Sequence, residues 1–176
     1  MEKALDNYVQ ALLLFRAAGD RQGEAFALST MATLHSFLEK PEESLTYYTK
    51  ALENLRAIGS PEGEVLVLTG LATLYNRAGQ TQRARETMEK ALSVSRAASY
   101  RHGEALALAA LSFLYSYLLD IQKALESYEQ ALPLFRAEHD RLGESVTLHG
   151  LCVSYLSSRN YEKGFGLLRS IAGAPT

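Results

Sequence analysis

One cysteine, Cys152, stands in 176 residues, tryptophan is missing, and only Pro41, Pro61, Pro133 and Pro175 supply proline. A single thiol excludes an intrachain disulfide and any metal site built on a cysteine pair. It suits a reducing compartment, and a cytoplasmic chain is expected. No apolar run approaches the roughly 18 residues of a membrane span. Met1-Glu2-Lys3 opens directly into an amphipathic pattern rather than a secretory leader. An excess of positive charge is also absent, with 18 basic against 20 acidic residues and a net charge of -2. The basic stripe of nucleic-acid binders and the basic cluster of anionic-membrane binders are therefore not expected.

What is present is repetition. Ala11-Leu12, Arg16-Ala17 and Gly23-Glu24 return as Ala51-Leu52, Arg56-Ala57 and Gly63-Glu64, each 40 residues on. They return again as Ala91-Leu92, Arg96-Ala97 and Gly103-Glu104, and finally as Ala131-Leu132, Arg136-Ala137 and Gly143-Glu144. Strict periodicity of this length marks a repeat array, in which one supersecondary unit stacks on the next.

Apolar residues spaced by three and four predict helices over 2–18, 21–38, 41–58, 61–78, 81–98, 101–118, 121–138, 141–158 and 161–172. Gly19, Gly59 and Gly79 stand where a left-handed residue ends a helix. Asp20, Ser60, Asp120 and Asn160 are placed to cap the helices that follow, and Pro41 and Pro61 suit a first helical position. Pro133 falls inside a helix and should remove one hydrogen bond and bend it. With connections this short, successive helices run antiparallel. The expected architecture is a single all-α array over 1–176. A half-repeat helix (1–20) precedes repeats at 21–60, 61–100, 101–140 and 141–176.

Each unit has fixed small and large positions: Leu71, Ala72, Tyr75, Gly79, Ala84, Met88 and Ala91 in the second, Leu111, Ser112, Tyr115, Leu119, Ala124, Tyr128 and Ala131 in the third. The first offers Met31, Ala32, His35, Ser44, Tyr48 and Ala51, and the last Leu151, Cys152, Tyr155, Gly164 and Leu168. This spacing resembles the tetratricopeptide repeat over nearly the whole chain. The family's usual period is 34; at 40 each pair gains about two turns. Long-helix forms of this kind are similar to cell-polarity adaptors of the Pins/LGN type and to bacterial arrays fused to caspase-like (CHAT) peptidases. The resemblance implies a right-handed superhelix whose first helices line a concave groove. Ser44 and Gly164, where alanine is usual, are expected to cost packing.

The repeated Arg lies near helix C-termini and the repeated Glu in first turns, where each complements the local macrodipole. They are read as scaffold that pairs across the turn, in preference to a charged ladder gripping a ligand. The repeated glycine should permit close approach to the preceding helix.

Nothing converges for catalysis. His35 holds an aromatic core position, His102 and His139 lie at junctions, and no histidine pair has the spacing of a helical metal site. No glycine-rich phosphate loop is present. Neither an enzyme, a metal nor a cofactor is expected. The resemblance instead implies ligand-facing positions on the first helices: Phe26, Ser29, Thr33, Ser36 and Phe37, then Leu66, Thr69, Thr73, Asn76 and Arg77. The third and fourth units would add Leu106, Ala109, Phe113, Ser116 and Tyr117, and Val146, His149, Val153, Leu156 and Ser157. Of these, Asn76, Arg77, Phe113 and Tyr117 are expected to be exposed, whereas Thr69 and Ala109 suit packing equally well. The carboxylate-clamping Lys/Asn/Arg set of chaperone-binding repeats is missing. A peptide or protein segment held by aromatic anchors and hydroxyl hydrogen bonds is the expected ligand. The alternative is a sensory arm acting within a larger signalling enzyme.

The ends carry surplus apolar residues. Leu12, Leu13, Leu14 and Phe15 crowd the first helix, and Phe165, Leu167, Leu168 and Ile171 mark the last before Gly-Ala-Pro-Thr. Terminal repeats normally need a polar outer face. A fragment of a longer array is the favoured explanation, and self-association through an end is expected.

Overall fold

The computed structural model describes residues 2–171. Met1 and residues 172–176, with Pro175, lie outside the described residues, as do the side chains of Glu2, Ala4, Ser170 and Ile171. The described residues are all-α, in nine helices: α1 (Glu2–Ala18), α2 (Arg21–Phe37), α3 (Pro41–Ile58), α4 (Pro61–Arg77), α5 (Thr81–Ala97), α6 (Arg101–Tyr117), α7 (Ile121–Ala137), α8 (Arg141–Ser157) and α9 (Tyr161–Ile171). They fall into two compact units, residues 1–98 with α1 to α5 and residues 99–176 with α6 to α9. In the first, each helix packs on the next and α2 also touches α4; in the second the same holds, with α6 touching α8.

The turns explain the even helix length. Residues 19, 39, 59, 79, 99, 119, 139 and 159 all have positive φ, between 55° and 71°. Gly19, Gly59 and Gly79 fill this position as expected, but Glu39, Ser99, Leu119, His139 and Arg159 adopt it without glycine's freedom. The amide after the left-handed residue closes back on the carbonyl five residues earlier: Asp20 on Phe15, Ser60 on Leu55 and Asp140 on Phe135, at 2.9, 3.0 and 2.9 Å. This is the Schellman closure, which satisfies carbonyls orphaned at a helix end.

Among the caps, Asp20 and Asp140 accept from the amides of Gly23 and Gly143 at 2.9 Å, with longer 3.4 Å bonds at Asp120 and Asn160. Ser60 departs from expectation: it holds the cap position before Pro61, but its hydroxyl makes no capping bond. Pro133 does not shorten α7, which keeps the 17 residues of α5.

The core of each pair is built on small residues. Ala25, Ala27, Ala32, Ala51, Ala84, Ala105, Ala124 and Ala131 are all buried, which lets backbones approach while Leu28, Met31, Met88 and Phe135 fill the space between. Ser44 corrects the expectation of a packing loss, since its buried hydroxyl donates to the Ala32 carbonyl at 2.7 Å and ties α3 to α2. Cys152 and Gly164 occupy the same contact between α8 and α9, the thiol donating to the carbonyl at 3.6 Å. His35 is buried and stacks on Tyr47, with centroids 5.1 Å apart. At the matching places Tyr75, Tyr115 and Tyr155 lie under Arg83, Lys123 and Lys163, 5.4–5.9 Å from the ring centroids.

The repeated Arg, Gly and Glu form one contact. Arg16, Arg56 and Arg136 donate through Nε to Glu24, Glu64 and Glu144 at 2.8, 2.7 and 2.7 Å. A Cβ on Gly23 would come within 2.2 Å of Phe15, on Gly63 within 2.5 Å of Leu55, and on Gly143 within 2.3 Å of Phe135. The glycine is therefore a seat for the side chain one residue before the arginine. These residues hold the turn between pairs.

Candidate functional face

In the first unit α2 and α4 lie side by side and present the same face. Helical spacing sends Ala25, Ala27, Leu28, Met31 and Ala32 inward and leaves Phe26, Thr33 and Phe37 outside. On α4, Val65, Val67, Leu68, Leu71 and Ala72 go inward while Leu66, Thr73 and Arg77 stay out. Phe26 is 60% and Leu66 66% exposed, large values for such apolar side chains beside fully buried neighbours.

Between the two helices runs a cleft of about 380 Å³, lined by Phe26, Ser29, Thr30, Thr33, Tyr48, Leu66, Val67, Thr69, Gly70 and Thr73. Tyr48 arrives from α3 below. Its hydroxyl reaches Thr33 Oγ1 at 3.0 Å, and it can do so because α4 carries glycine at 70: a Cβ there would lie 2.6 Å from the Tyr48 oxygen. A second hollow of about 240 Å³ adjoins it at the N-terminal ends of α2 and α4, sharing Phe26, Ser29, Leu66 and Val67 and adding Gln22 and Glu62. At the opposite end Arg77 lies 5.5 Å over the Phe37 ring and donates to Ser36 Oγ at 3.2 Å. A further hollow there, of about 300 Å³, is lined by Ser36, Glu39, Pro41, Leu74, Arg77 and Ala78.

Ser29, Thr33, Leu66 and Thr73 thus meet in one cleft, with Thr69, while Phe37 and Arg77 meet at its far end. Asn76 is half-buried, against the expected exposure, and its carbonyl accepts from the Gly79 amide at 3.0 Å. Arg77 is exposed but already engaged on Phe37, so it is no free cation. Tyr48 and Thr30 were not among the expected residues. The signal for Tyr48 is in the sequence: tyrosine with glycine 22 positions later recurs as Tyr128 and Gly150.

In the second unit α6 presents Phe113 and Tyr117, 58% and 69% exposed, with Ser116 half-buried between them. On α8, Val146, His149 and Val153 are exposed. Tyr128 again passes under a glycine, since a Cβ at 150 would lie 2.3 Å from its Cζ. Burial pushes the Tyr128 phenol above its ordinary value.

No group of His, Cys, Asp or Glu among the described residues is arranged to hold a metal ion. No described helix is long and apolar enough to cross a membrane.

The model of the family described as tetratricopeptide repeat matches residues 1–57 and 64–137. No curated protein sequence matches the chain significantly. Among solved structures, the apo form of RapI superposes with a TM-score of 0.80 at 19% identity, covering 94% of this chain and 48% of that one. BtubC from P. vanneervenii gives 0.81 at 20% identity, over 99% and 75%. A signal-transduction ATPase with a tetratricopeptide repeat sensor, from Pyrococcus horikoshii, gives 0.78 at 23%, over 98% and 27%. The chain therefore spans about half the length of RapI and about a quarter of the ATPase. At these identities the likeness is one of fold.

Proposed function

The chain belongs to the tetratricopeptide repeat family, and on that premise we propose that it is a non-enzymatic interaction module that binds a peptide or protein segment on its first-helix faces. The fold is compatible with such a scaffold. The observation that carries the reading is the exposure of Phe26, Phe37 and Leu66 on α2 and α4, and of Phe113 and Tyr117 on α6. Aromatic and aliphatic side chains left in water on a rigid surface are what a partner buries as anchors. The binding residues are then Phe26, Ser29, Thr33, Phe37, Leu66, Thr73, Asn76 and Arg77 in the first unit. In the second they are Phe113, Ser116, Tyr117, His149 and Val153.

A second reading is an arm of a larger signalling protein, acting on its own chain. Its support is the part-length match to the ATPase, in which a tetratricopeptide repeat is the sensor. Self-association is a further proposal, through Leu13 and Leu14 of α1 or Phe165 and Leu168 of α9, which are exposed. Light scattering that stays monomeric at high concentration removes it.

The test of the main reading is partner capture by wild type against two paired variants, Phe26→Ala with Leu66→Ala and Phe113→Ala with Tyr117→Ala. Capture should fall for at least one pair while the melting temperature holds. Capture unchanged in both places the interaction elsewhere.

A further inference from the structure

We propose that the α2–α4 cleft selects peptides carrying a lysine or arginine beside an aliphatic residue, the basic group seated among hydroxyl acceptors. The inference rests on the peptide-binding reading and adds the class of ligand.

Six hydroxyls line the cleft, from Ser29, Thr30, Thr33, Tyr48, Thr69 and Thr73. Ser29 and Thr30 donate to the Phe26 carbonyl at 2.9 and 3.0 Å, and Thr33 to the Ser29 carbonyl at 3.0 Å. Thr69 donates to Val65 and Thr73 to Thr69, both at 2.9 Å. A hydroxyl has one hydrogen and two lone pairs. Either oxygen has the geometry to donate in the 3.0 Å contact between Thr33 and Tyr48; with Thr33's hydrogen on the Ser29 carbonyl, the phenol is left as the donor. All six hydrogens are committed inside the protein. The polar atoms of the lining therefore turn lone pairs to the cleft, between the apolar surfaces of Phe26, Leu66 and Val67.

Polar groups that only accept, set in an apolar lining, match a donor-only head on an apolar stem. A lysine ammonium brings three donors and an arginine guanidinium five, and neither brings an acceptor. A carboxamide would set its carbonyl against lone pairs, and a carboxylate would do so with charge. Glu62 lies in the adjoining hollow, where it supplies the opposite charge, and no basic residue lines either space. The exposed Phe26 ring offers a face to the cation, and Leu66 a surface for the neighbouring aliphatic side chain.

The test pans a phage-displayed library of random 12-residue peptides on the full chain. The best-enriched peptide is then synthesised with its basic residue intact, or replaced by norleucine or glutamine. Sequences with Lys or Arg next to Leu, Ile or Phe should be enriched, and norleucine or glutamine should weaken binding roughly tenfold, the scale of a lost charged hydrogen bond. Thr69→Val with Thr73→Val, which alters neither shape nor charge, should weaken it by a similar factor, and Glu62→Gln provides a second variant. Equal binding by the norleucine peptide, or no loss in either variant, overturns the proposal. Enrichment of acidic peptides that Leu66→Ala abolishes also overturns it but leaves the peptide-binding face standing. Enrichment of nothing sinks both.

Discussion

Tyr48 and Thr33 hold their hydroxyls 3.0 Å apart although they stand on different helices, and Gly70 on a third makes room for the contact. Three elements are thereby fixed at one point under the cleft. Gly70→Ala should gain about 1 kcal/mol of helix propensity yet lose about 1–3 kcal/mol by overpacking the buried ring. A net loss of stability of about 1 kcal/mol is expected by urea denaturation, and Gly150→Ala should behave alike over Tyr128. A neutral or stabilising result would show that the tyrosine gives way.

Thr147 is fully buried, and its hydroxyl has no partner among the described residues. An unmade hydrogen bond of this kind costs about 1–3 kcal/mol. Thr147→Val keeps the shape and should raise stability by about 1 kcal/mol. Thr87 is the control, because its hydroxyl already donates to the Arg83 carbonyl at 2.7 Å. Thr87→Val should gain nothing.

Leu119 has φ 62° and its side chain is 82% exposed, so it bears left-handed strain without packing in return. That conformation costs a non-glycine residue about 1–2 kcal/mol, of which glycine's greater unfolded freedom gives back about 0.4–1. Leu119→Gly should stabilise by about 0.5 kcal/mol or more. In the other direction Gly79→Ala, at φ 71° with open space around it, should destabilise by about 1 kcal/mol. Thermal melts of the two variants together separate backbone strain from packing.

The Tyr155 hydroxyl donates to Glu129 Oε1 at 2.5 Å, and burial together with that carboxylate pushes its pKa up to about 12. An unfolded tyrosine titrates near 10, roughly. The folded state therefore holds the proton more tightly. Its contribution is complete below about pH 10 and is lost as pH rises from there through the folded value. Between pH 10 and 12 the wild type should lose stability more steeply than Tyr155→Phe. Parallel curves would mean that the bond to Glu129 is not formed in solution.

Most of the helices were legible in the sequence, because period, glycine and proline act locally. Pro41 and Pro61 begin α3 and α4 where their fixed φ suits a first turn. Other features depend on what arrives from elsewhere. Glu39 and His139 take left-handed turns because helix length and the Schellman closure impose them, whatever residue is present. Arg77 reads as a free cation until Phe37, 40 positions earlier, is found beneath it. Asn76, one place before Arg77 on the same helix, is half-buried where Arg77 is exposed. Tyr48 reads as scaffold from its own repeat, and only the glycine of the next repeat lets it reach the cleft.

The left-handed turns recur every 20 residues, half the interval at which the sequence repeats. The chain thus keeps a beat of 20 inside a reading frame of 40. Turn geometry alone does not say whether a helix opens or closes a pair; contacts such as Ser44 on Ala32 carry that information. Deleting one helix with its turn would leave every later bend in time while setting each remaining face out of phase. Deleting two would restore both. Modules of this kind can be shortened or lengthened in pairs, and resist change by single helices.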